Sequence, residues 1–367
     1  MVCDNNQLVK PKSSFTIGGK TIGQDSPAYF IADIGANHDG DLGRAKELIF
    51  MCAEAGADAA KFQHFKAETI VSDQGFKTLD PAIMSHQAGW KKSVFEVYQE
   101  ASIDLKWTHA IKDACDQAGV AFMTTPYSSD LVDHVDVFVP AYKIGSGDIT
   151  WLDHIEYIAN KGKPVILACG ASTLDEMVRA VDTVLACNAE VAILQCNTNY
   201  TASRENFDYI NLNVIKTFAE MYPGAVLGLS DHTPGHATAL GAVTLGGRII
   251  EKHFTDDNDR TGPDHKFAMD AKAWCAMVDA TRELERALGH GIKRVEENEK
   301  DTVTIQRRSI RAAKILESGH TITKDDIEIL RPCPVNALEP RELEHLIGRT
   351  LRTTLSKGDY FSWDLVD

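Results

Sequence analysis

Eight short apolar runs, each trailed by a helical pattern, restrict what this chain can fold into. The runs cover 29–34, 58–63, 120–124, 141–144, 164–167, 191–195, 226–230 and 248–253. Most are nearly continuous in apolar residues, as parallel strands buried on both faces should be. Helical spacing fills the intervals at 42–55, 107–118, 130–135, 152–159, 173–186, 211–221, 236–245 and 271–288. The first of these stops before Gly56 and the second before Gly119, while Thr173 and Glu176 form a capping box. Eight strand–helix units in ~260 residues predict an α/β chain built as a closed parallel (β/α)8 TIM barrel. An open doubly wound sheet is the alternative. It normally carries a glycine-rich dinucleotide fingerprint after its first strand, and IGANHDG is not one. A long insertion, about 64–104, follows the second strand. Its position predicts that it lies over the C-terminal face, where barrel active sites are built.

The texture changes at residue 289. The reading is a barrel over 1–288, a polar linker over 289–304 and a small β-rich domain over 305–367. A domain of ~60 residues is marginal alone and is expected to pack on something else. The 38 Lys and Arg against 53 Asp and Glu leave a net charge of -15, which excludes nonspecific nucleic-acid binding as the main task. A small anionic substrate needs only a local basic pocket. No run reaches the ~18 apolar residues of a spanning helix, so no membrane role is expected. The polar start MVCDNNQLVKPKSSF has no secretory pattern, and a cytoplasmic location is expected. The eight scattered cysteines (Cys3, Cys52, Cys115, Cys169, Cys187, Cys196, Cys275 and Cys333) form no CxxC and read as reduced thiols.

Polar residues at the C-terminal ends of barrel strands are the functional candidates. Asp33 ends the first strand, and Lys61 and Gln63 end the second. Lys143 lies in the fourth, which leads into Ser146 and Asp148. Thr198 and Tyr200 follow the sixth, Ser230, Asp231 and His232 end the seventh, and Glu251, Lys252 and His253 end the eighth. Each alone has a structural reading: a strand lysine pairs with a neighbouring carboxylate, and SDH caps a helix. Together, at one end of successive strands, they are hard to explain as stability, because buried charge is costly unless paired or ligated. His232 and His253, on adjacent strands, are placed to share a divalent metal. The lysines and serines nearby make an anion site. A metal beside such a site suggests Lewis-acid chemistry on a carbonyl. Asp264 follows a Gly-Pro turn in DRTGPDHK and reads as part of a substrate loop, or as a solvated turn.

The segments IADIGANHDG, GADAAKFQ, TTPYS, VPAYKIGSGD, GLSDHTPG, LGGRIIEKHFT and GPDHKFAMD resemble the sialic acid synthase family, in its order and spacing. The C-terminal stretch RRSIRAAKIL…GHTITKDDIEILRP…LSKGDYF resembles that family's antifreeze-like (SAF) domain. The resemblance implies a phosphoenolpyruvate-dependent condensation with an open-chain N-acetylated hexosamine, N-acetylmannosamine or a 2,4-diacetamido relative, with release of phosphate. It implies Mn2+ or Mg2+ on His232 and His253. Lys61, Lys143, Ser146, Ser230, Thr198 and Tyr200 would hold phosphoenolpyruvate. Asp33, Gln63, Asp148 and Asp264 would meet the sugar and supply acid–base function. Arg331 would reach the N-acyl group from the small domain of a partner subunit, in a domain-swapped homodimer.

The chain departs from the family at several points. Asp33 and Asp148 stand where glutamate is usual, each one methylene shorter, and Ala168 replaces a serine. CNTNYTAS lacks the usual prolines, and CPVNALEP follows Arg331 in place of a glycine-rich stretch. Two other functions are compatible with parts of the sequence. One is a related barrel that condenses phosphoenolpyruvate with a phosphorylated aldose, against which the appended domain argues. The other is a noncatalytic ice- or glycan-binding protein, for which a degraded site would be expected.

Overall fold

The structure is a computed structural model that describes residues 9–80, 87 and 90–367. Cys3 and part of the insertion after the second barrel strand lie outside the described residues. The chain divides into two compact units, Met1–Gly289 and His290–Asp367. Among the described residues no helix is long and apolar enough to cross a membrane.

The first unit opens with a hairpin, β1 (Ser14–Ile17) and β2 (Lys20–Gly23). Gly18 and Gly19 form its two-residue turn at φ 55° and 82°, the backbone such a turn demands. Eight parallel strands follow: β3 (Tyr29–Asp33), β4 (Ala59–His64), β5 (Ala121–Pro126), β6 (Tyr142–Ile144), β7 (Val165–Ala168), β8 (Val191–Cys196), β9 (Val226–Asp231) and β10 (Ile249–His253). Their hydrogen-bonded order is β5-β4-β3-β10-β9-β8-β7-β6, and the two end strands lie against each other. The result is a nearly closed (β/α)8 barrel.

Helices alternate with the strands: α1 (Leu42–Glu54), α2 (Thr108–Ala118), α3 (Ser129–Val135), α4 (Leu152–Ala159), α5 (Leu174–Leu185), α6 (Val214–Met221), α7 (Ala237–Thr244) and α8 (Ala271–Leu288). Local chemistry starts and stops them. Asp41 caps α1 through the Arg44 amide, and Thr173 with Glu176 forms the capping box of α5. Gly119, at φ 74°, ends α2. The outward faces of the strands and the inner faces of the helices share one large apolar layer.

A second, smaller apolar cluster fills the barrel itself. Phe15, Ile17 and Ile22 of the hairpin pack there against Tyr29, Ile31, Met123, Ile166 and Ile249. The hairpin therefore plugs the N-terminal mouth and leaves only the C-terminal mouth for chemistry. The sequence carried its mark, alternating SFTI and KTIG around Gly-Gly, inside a stretch that reads as a polar lead-in.

The second unit has its own core, with Ile310, Leu316, Ile322, Leu338, Leu346, Leu351 and Phe361 buried together. Strands β11 (Ser309–Ala312) and β12 (Ile327–Leu330) pair antiparallel. The end of the stretch read as a linker, 300–304, forms most of a short helix (Lys300–Gln306) and groups with this unit. All seven described cysteines are free thiols.

Asp326 anchors the second unit. Its buried carboxylate accepts from the Thr323 amide at 2.8 Å, the Thr323 hydroxyl at 2.7 Å and His320 at 2.8 Å, and Lys314 lies at 2.8 Å. Burial alone would raise this carboxyl; Lys314, His320 and Thr323 hold it well below the usual carboxylate range. A folded pKa below the unfolded one adds stability that is full above the unfolded value, ~3.9, and lost as pH falls toward the folded one. Thermal denaturation of the full chain should therefore show the second unit weakening as pH drops from about 5 to about 2. Asp326→Asn should be less stable at neutral pH and lose less over that interval; equal losses would contradict this role.

Candidate active site

Alternate residues of a barrel strand point inward. Low in the barrel the inward positions are apolar, with Tyr29 and Ile31 on β3, Ala192 and Leu194 on β8 and Ile249 on β10. At the C-terminal ends the same rows turn polar. They supply Asp33 from β3, Lys61 and Gln63 from β4, Lys143 from β6, Ser230 from β9, and Glu251 and His253 from β10. Strand register places them side by side: His253 pairs with Asp33, Asp33 with Lys61, and Glu251 with Ser230.

Four buried charges meet here. Lys61 Nζ lies 2.5 Å from Asp33 Oδ2 and 4.0 Å from Glu251 Oε1. Lys143 Nζ lies 3.4 Å from Glu251 Oε1, which also accepts from Ser230 Oγ at 3.3 Å. Gln63 Nε2 donates to Asp33 Oδ2 at 3.2 Å. Burial opposes the charged form of both members of the first pair, and the partners outweigh it. Asp33 is held below the ordinary carboxylate range by Lys61 and His253, and Lys61 above the ordinary amine range by Asp33 and Glu251. Asp33 Oδ1 and Glu251 Oε2 are buried without a hydrogen-bond partner among the described residues. Orphaned acceptors in a charged cluster are where a ligand's or water's donors belong.

Beside the lysines, Ser146 Oγ accepts from the Gly170 amide at 2.9 Å. Gly170 has no room for a side chain: a Cβ would stand 2.7 Å from Thr198 Cγ2, 2.8 Å from Ser146 Oγ and 3.0 Å from Cys196 Sγ. Backbone, hydroxyls and thiol thus close one wall around Ser146. Burial pushes the Cys196 thiol up to about 11, so it stays neutral at physiological pH and adds no negative charge to this wall.

The two histidines lie side by side at the mouth, with ring centres 5.5 Å apart and planes tilted by 41°. His232 Nδ1 donates to the Asn197 carbonyl at 2.9 Å, which turns the Nε2 lone pair outward. Burial and the neighbouring His253 lower its pKa to about 3, so the ring is neutral. His253 Nδ1 is buried without a hydrogen-bond partner, with Asp264 Oδ2 at 3.7 Å. Asp264 is fixed in turn by the Ala36 amide, which donates to Oδ2 at 3.0 Å. Gly35, at φ 52°, makes room for both: a Cβ there would stand 2.6 Å from Asp264 Oδ2. Phe267 lies edge-on to both imidazoles, and Tyr200 packs on His232 and Phe267. The insertion adds Phe65, Trp90 and Tyr98 to a cavity that reaches Gln63, His253 and Asp264.

Residues 48–293 match the NeuB family and residues 307–367 match the SAF domain. The chain belongs to the NeuB family. It is 33% identical to the N,N'-diacetyllegionaminic acid synthase of Legionella pneumophila, over 95% of this chain and 98% of that one. It is 29% identical to the human N-acetylneuraminate-9-phosphate synthase, over 95% of each chain. Among solved structures, an N-acetylneuraminic acid synthetase from Leptospira borgpetersenii, in complex with citrate, superposes with a TM-score of 0.68 at 27% identity. The match covers 82% of this chain and 97% of that one. This NeuB-family chain is an enzyme of the nonulosonic acid synthase class, which sets aside a noncatalytic ice- or glycan-binding role.

Within the NeuB barrel, the sequence-derived candidates Asp33, Gln63, Lys61, Lys143, Ser146, Thr198, Tyr200, Ser230, His232, His253 and Asp264 lie at or around one mouth. Asp148 lies in the turn after β6, its carboxyl raised by burial against the opposing pull of His154 and Lys143. Arg331 belongs to the second unit and is exposed there. In the sequence, Glu251 stands out only as a strand-end charge. Its period-two spacing from His253 puts both on the inward face. Phe267, in the GPDHKF loop, carried no comparable signal. Among the described residues no group of three or more His, Cys, Asp or Glu side chains is arranged to hold a metal. The donor set nevertheless fits an open site: two imidazoles, one with its tautomer fixed by a carbonyl and one with an orphaned nitrogen.

Lys61→Met would leave the Asp33 charge buried and uncompensated, at a cost of about 3–5 kcal/mol. In an Asp33→Asn background the same change should cost much less. Chemical denaturation of the four proteins of this cycle measures the difference, and additive costs would mean that the pair does not interact.

Proposed function

We propose that this enzyme condenses phosphoenolpyruvate with the open-chain aldehyde of an N-acetylated hexosamine and releases phosphate. The observation that carries this reading is the juxtaposition of Lys61, Lys143 and orphaned carboxylate oxygens with two neighbouring imidazoles at one barrel mouth. Lys61 and Lys143 supply point charges for the enol phosphate, and Ser146, Thr198 and Ser230 supply hydroxyl donors. Tyr200 closes the same side and borders the sugar cavity.

C3 of the enol attacks the aldehyde carbon, and the new C–C bond leaves an alkoxide on the sugar and an oxocarbenium centre at C2. Water adds to C2 and loses a proton. The tetrahedral species then breaks its C–O bond to phosphate, passes its C2 hydroxyl proton to the departing phosphate and becomes the 2-keto acid. Mn2+ or Mg2+ on His232 and His253 would polarise the aldehyde oxygen. Asp33, locked by Lys61 and Gln63, stays ionised and can accept the water's proton. Burial raises the Asp148 carboxyl, which suits it to protonate the new sugar alkoxide. Asp264, oriented by the Ala36 amide, faces the sugar's hydroxyls with Gln63.

The acceptor is N-acetylmannosamine or a 2,4-diacetamido relative, in keeping with the names of the relatives and with the aromatic wall of Phe65, Trp90, Tyr98 and Tyr127. Arg331 reads the N-acyl group from the small domain of a partner subunit. The exposed Val335 and Ile315 of that domain are the kind of apolar surface a dimer would cover. A cytoplasmic setting fits both phosphoenolpyruvate and the free thiols.

The test is phosphate release from phosphoenolpyruvate with Mn2+ against a sugar panel. The panel holds N-acetylmannosamine, its 6-phosphate, 2,4-diacetamido-2,4,6-trideoxymannose and arabinose 5-phosphate. Release with an N-acetylated sugar supports the reading; release with arabinose 5-phosphate alone would replace it by the phosphorylated-aldose alternative. His232→Ala and His253→Ala should each lower kcat/KM by roughly 100-fold or more, the scale of losing a transition-state stabiliser, with the fold intact. Near-normal turnover would remove the metal assignment. Arg331→Ala should raise the KM for sugar far more than that for phosphoenolpyruvate, and equal rises would exclude it as a sugar reader.

A further inference from the structure

Behind the two histidines, on the far side of the sheet from the mouth, lies a charge pair with no part in the chemistry above. Asp231 and Lys252 are register partners on β9 and β10, and both side chains have 0% exposure. Each is followed directly by a histidine, so strand alternation that turns the pair outward turns His232 and His253 inward. Lys252 Nζ reaches Asp231 Oδ2 at 2.5 Å and donates to the Thr233 carbonyl at 2.7 Å, which holds the chain on both sides of His232. The Asp231 carboxylate also accepts from the Thr233 amide at 3.2 Å, the Thr233 hydroxyl at 2.8 Å and Thr238 of α7 at 2.7 Å.

Stability does not explain such a pair. The layer around it is apolar, with Leu229, Ile250, Ala239 and Ala242 buried there. A fully buried ion pair is often no more stable than well-packed apolar residues in its place. Five directional contacts do what apolar packing cannot: they fix the path of the backbone that carries both imidazoles. We propose that Asp231 and Lys252 are positioning residues that set His232 and His253 in the relative orientation needed to share one divalent cation. The proposal rests on the reading of those histidines as a metal pair.

The probe is Mn2+ itself, titrated into the full-length protein with free Mn2+ read by electron paramagnetic resonance. The double variant Asp231→Leu/Lys252→Met should still fold, with a melting temperature lowered by at most a few degrees, because Thr233 and Thr238 keep their mutual hydrogen bond. Its Mn2+ Kd should rise by about 10–100-fold, the usual cost of losing groups that orient metal ligands. The KM for phosphoenolpyruvate should change by less than about threefold, because Lys61 and Lys143 are untouched. A folded double variant with wild-type Mn2+ affinity overturns the proposal, provided that His232→Ala abolishes binding. If the wild type does not bind Mn2+, or His232→Ala binds it unchanged, the metal reading fails and takes this proposal with it. Should the double variant not fold, Thr238→Val decides. Weaker Mn2+ binding at an unchanged melting temperature supports positioning, and unchanged binding overturns it.

Discussion

The structure is organised around charges almost wholly withdrawn from bulk solvent. Lys61, Lys143, Asp33 and Glu251 come from four different strands, and each is nearly or wholly buried. Isolated, any of them would lose its charge or unfold its surroundings. They survive because the barrel brings strand ends together in register, so that each cation faces a carboxylate. A site of this kind cannot be built on loops. It needs rigid neighbours at fixed spacing, which a closed parallel sheet supplies.

That requirement explains features that look unrelated. The N-terminal hairpin fills the opposite mouth with Phe15, Ile17 and Ile22, so the barrel closes below the charges. Gly228 lets two strands approach closely, since a Cβ there would stand 2.2 Å from the Ile249 carbonyl oxygen. Gly35 and Gly170 clear space at the rim for Asp264 and for the wall around Ser146. On the outer face of the sheet, the Asp231–Lys252 pair braces the strands that carry the histidines. Small residues and buried polar groups thus serve one end: the exact register of a few side chains is worth more here than maximal apolar packing.

Much of this was legible in the sequence for a physical reason. Parallel strands buried on both faces leave continuous apolar runs, and a lysine or aspartate at the end of such a run stands out. That contrast located β3 to β10 within a residue or two and singled out Asp33, Lys61, Lys143, His232 and His253. The family motifs then gave those residues an order. What stayed hidden depends on distance along the chain. The hairpin's destination, the pairing of Lys61 with Glu251 and the approach of Phe267 to both imidazoles arise from contacts between segments far apart in sequence. Glu251 was visible as a strand-end charge, yet only its inward direction, shared with His253, reveals what it touches. The Asp-for-Glu change at position 33 was legible as a shorter side chain; the structure adds that this carboxylate is already held by Lys61 and Gln63.

The claim on which the account stands is that the buried cations are a preformed seat for an enol phosphate. Calorimetric titration of phosphoenolpyruvate into the full-length protein addresses it directly. The account predicts saturable binding at one site per chain, weakened by roughly 100-fold in Lys143→Met, as expected when a buried charge partner of a ligand is removed. Absence of binding, or binding that Lys143→Met leaves unchanged, would contradict it.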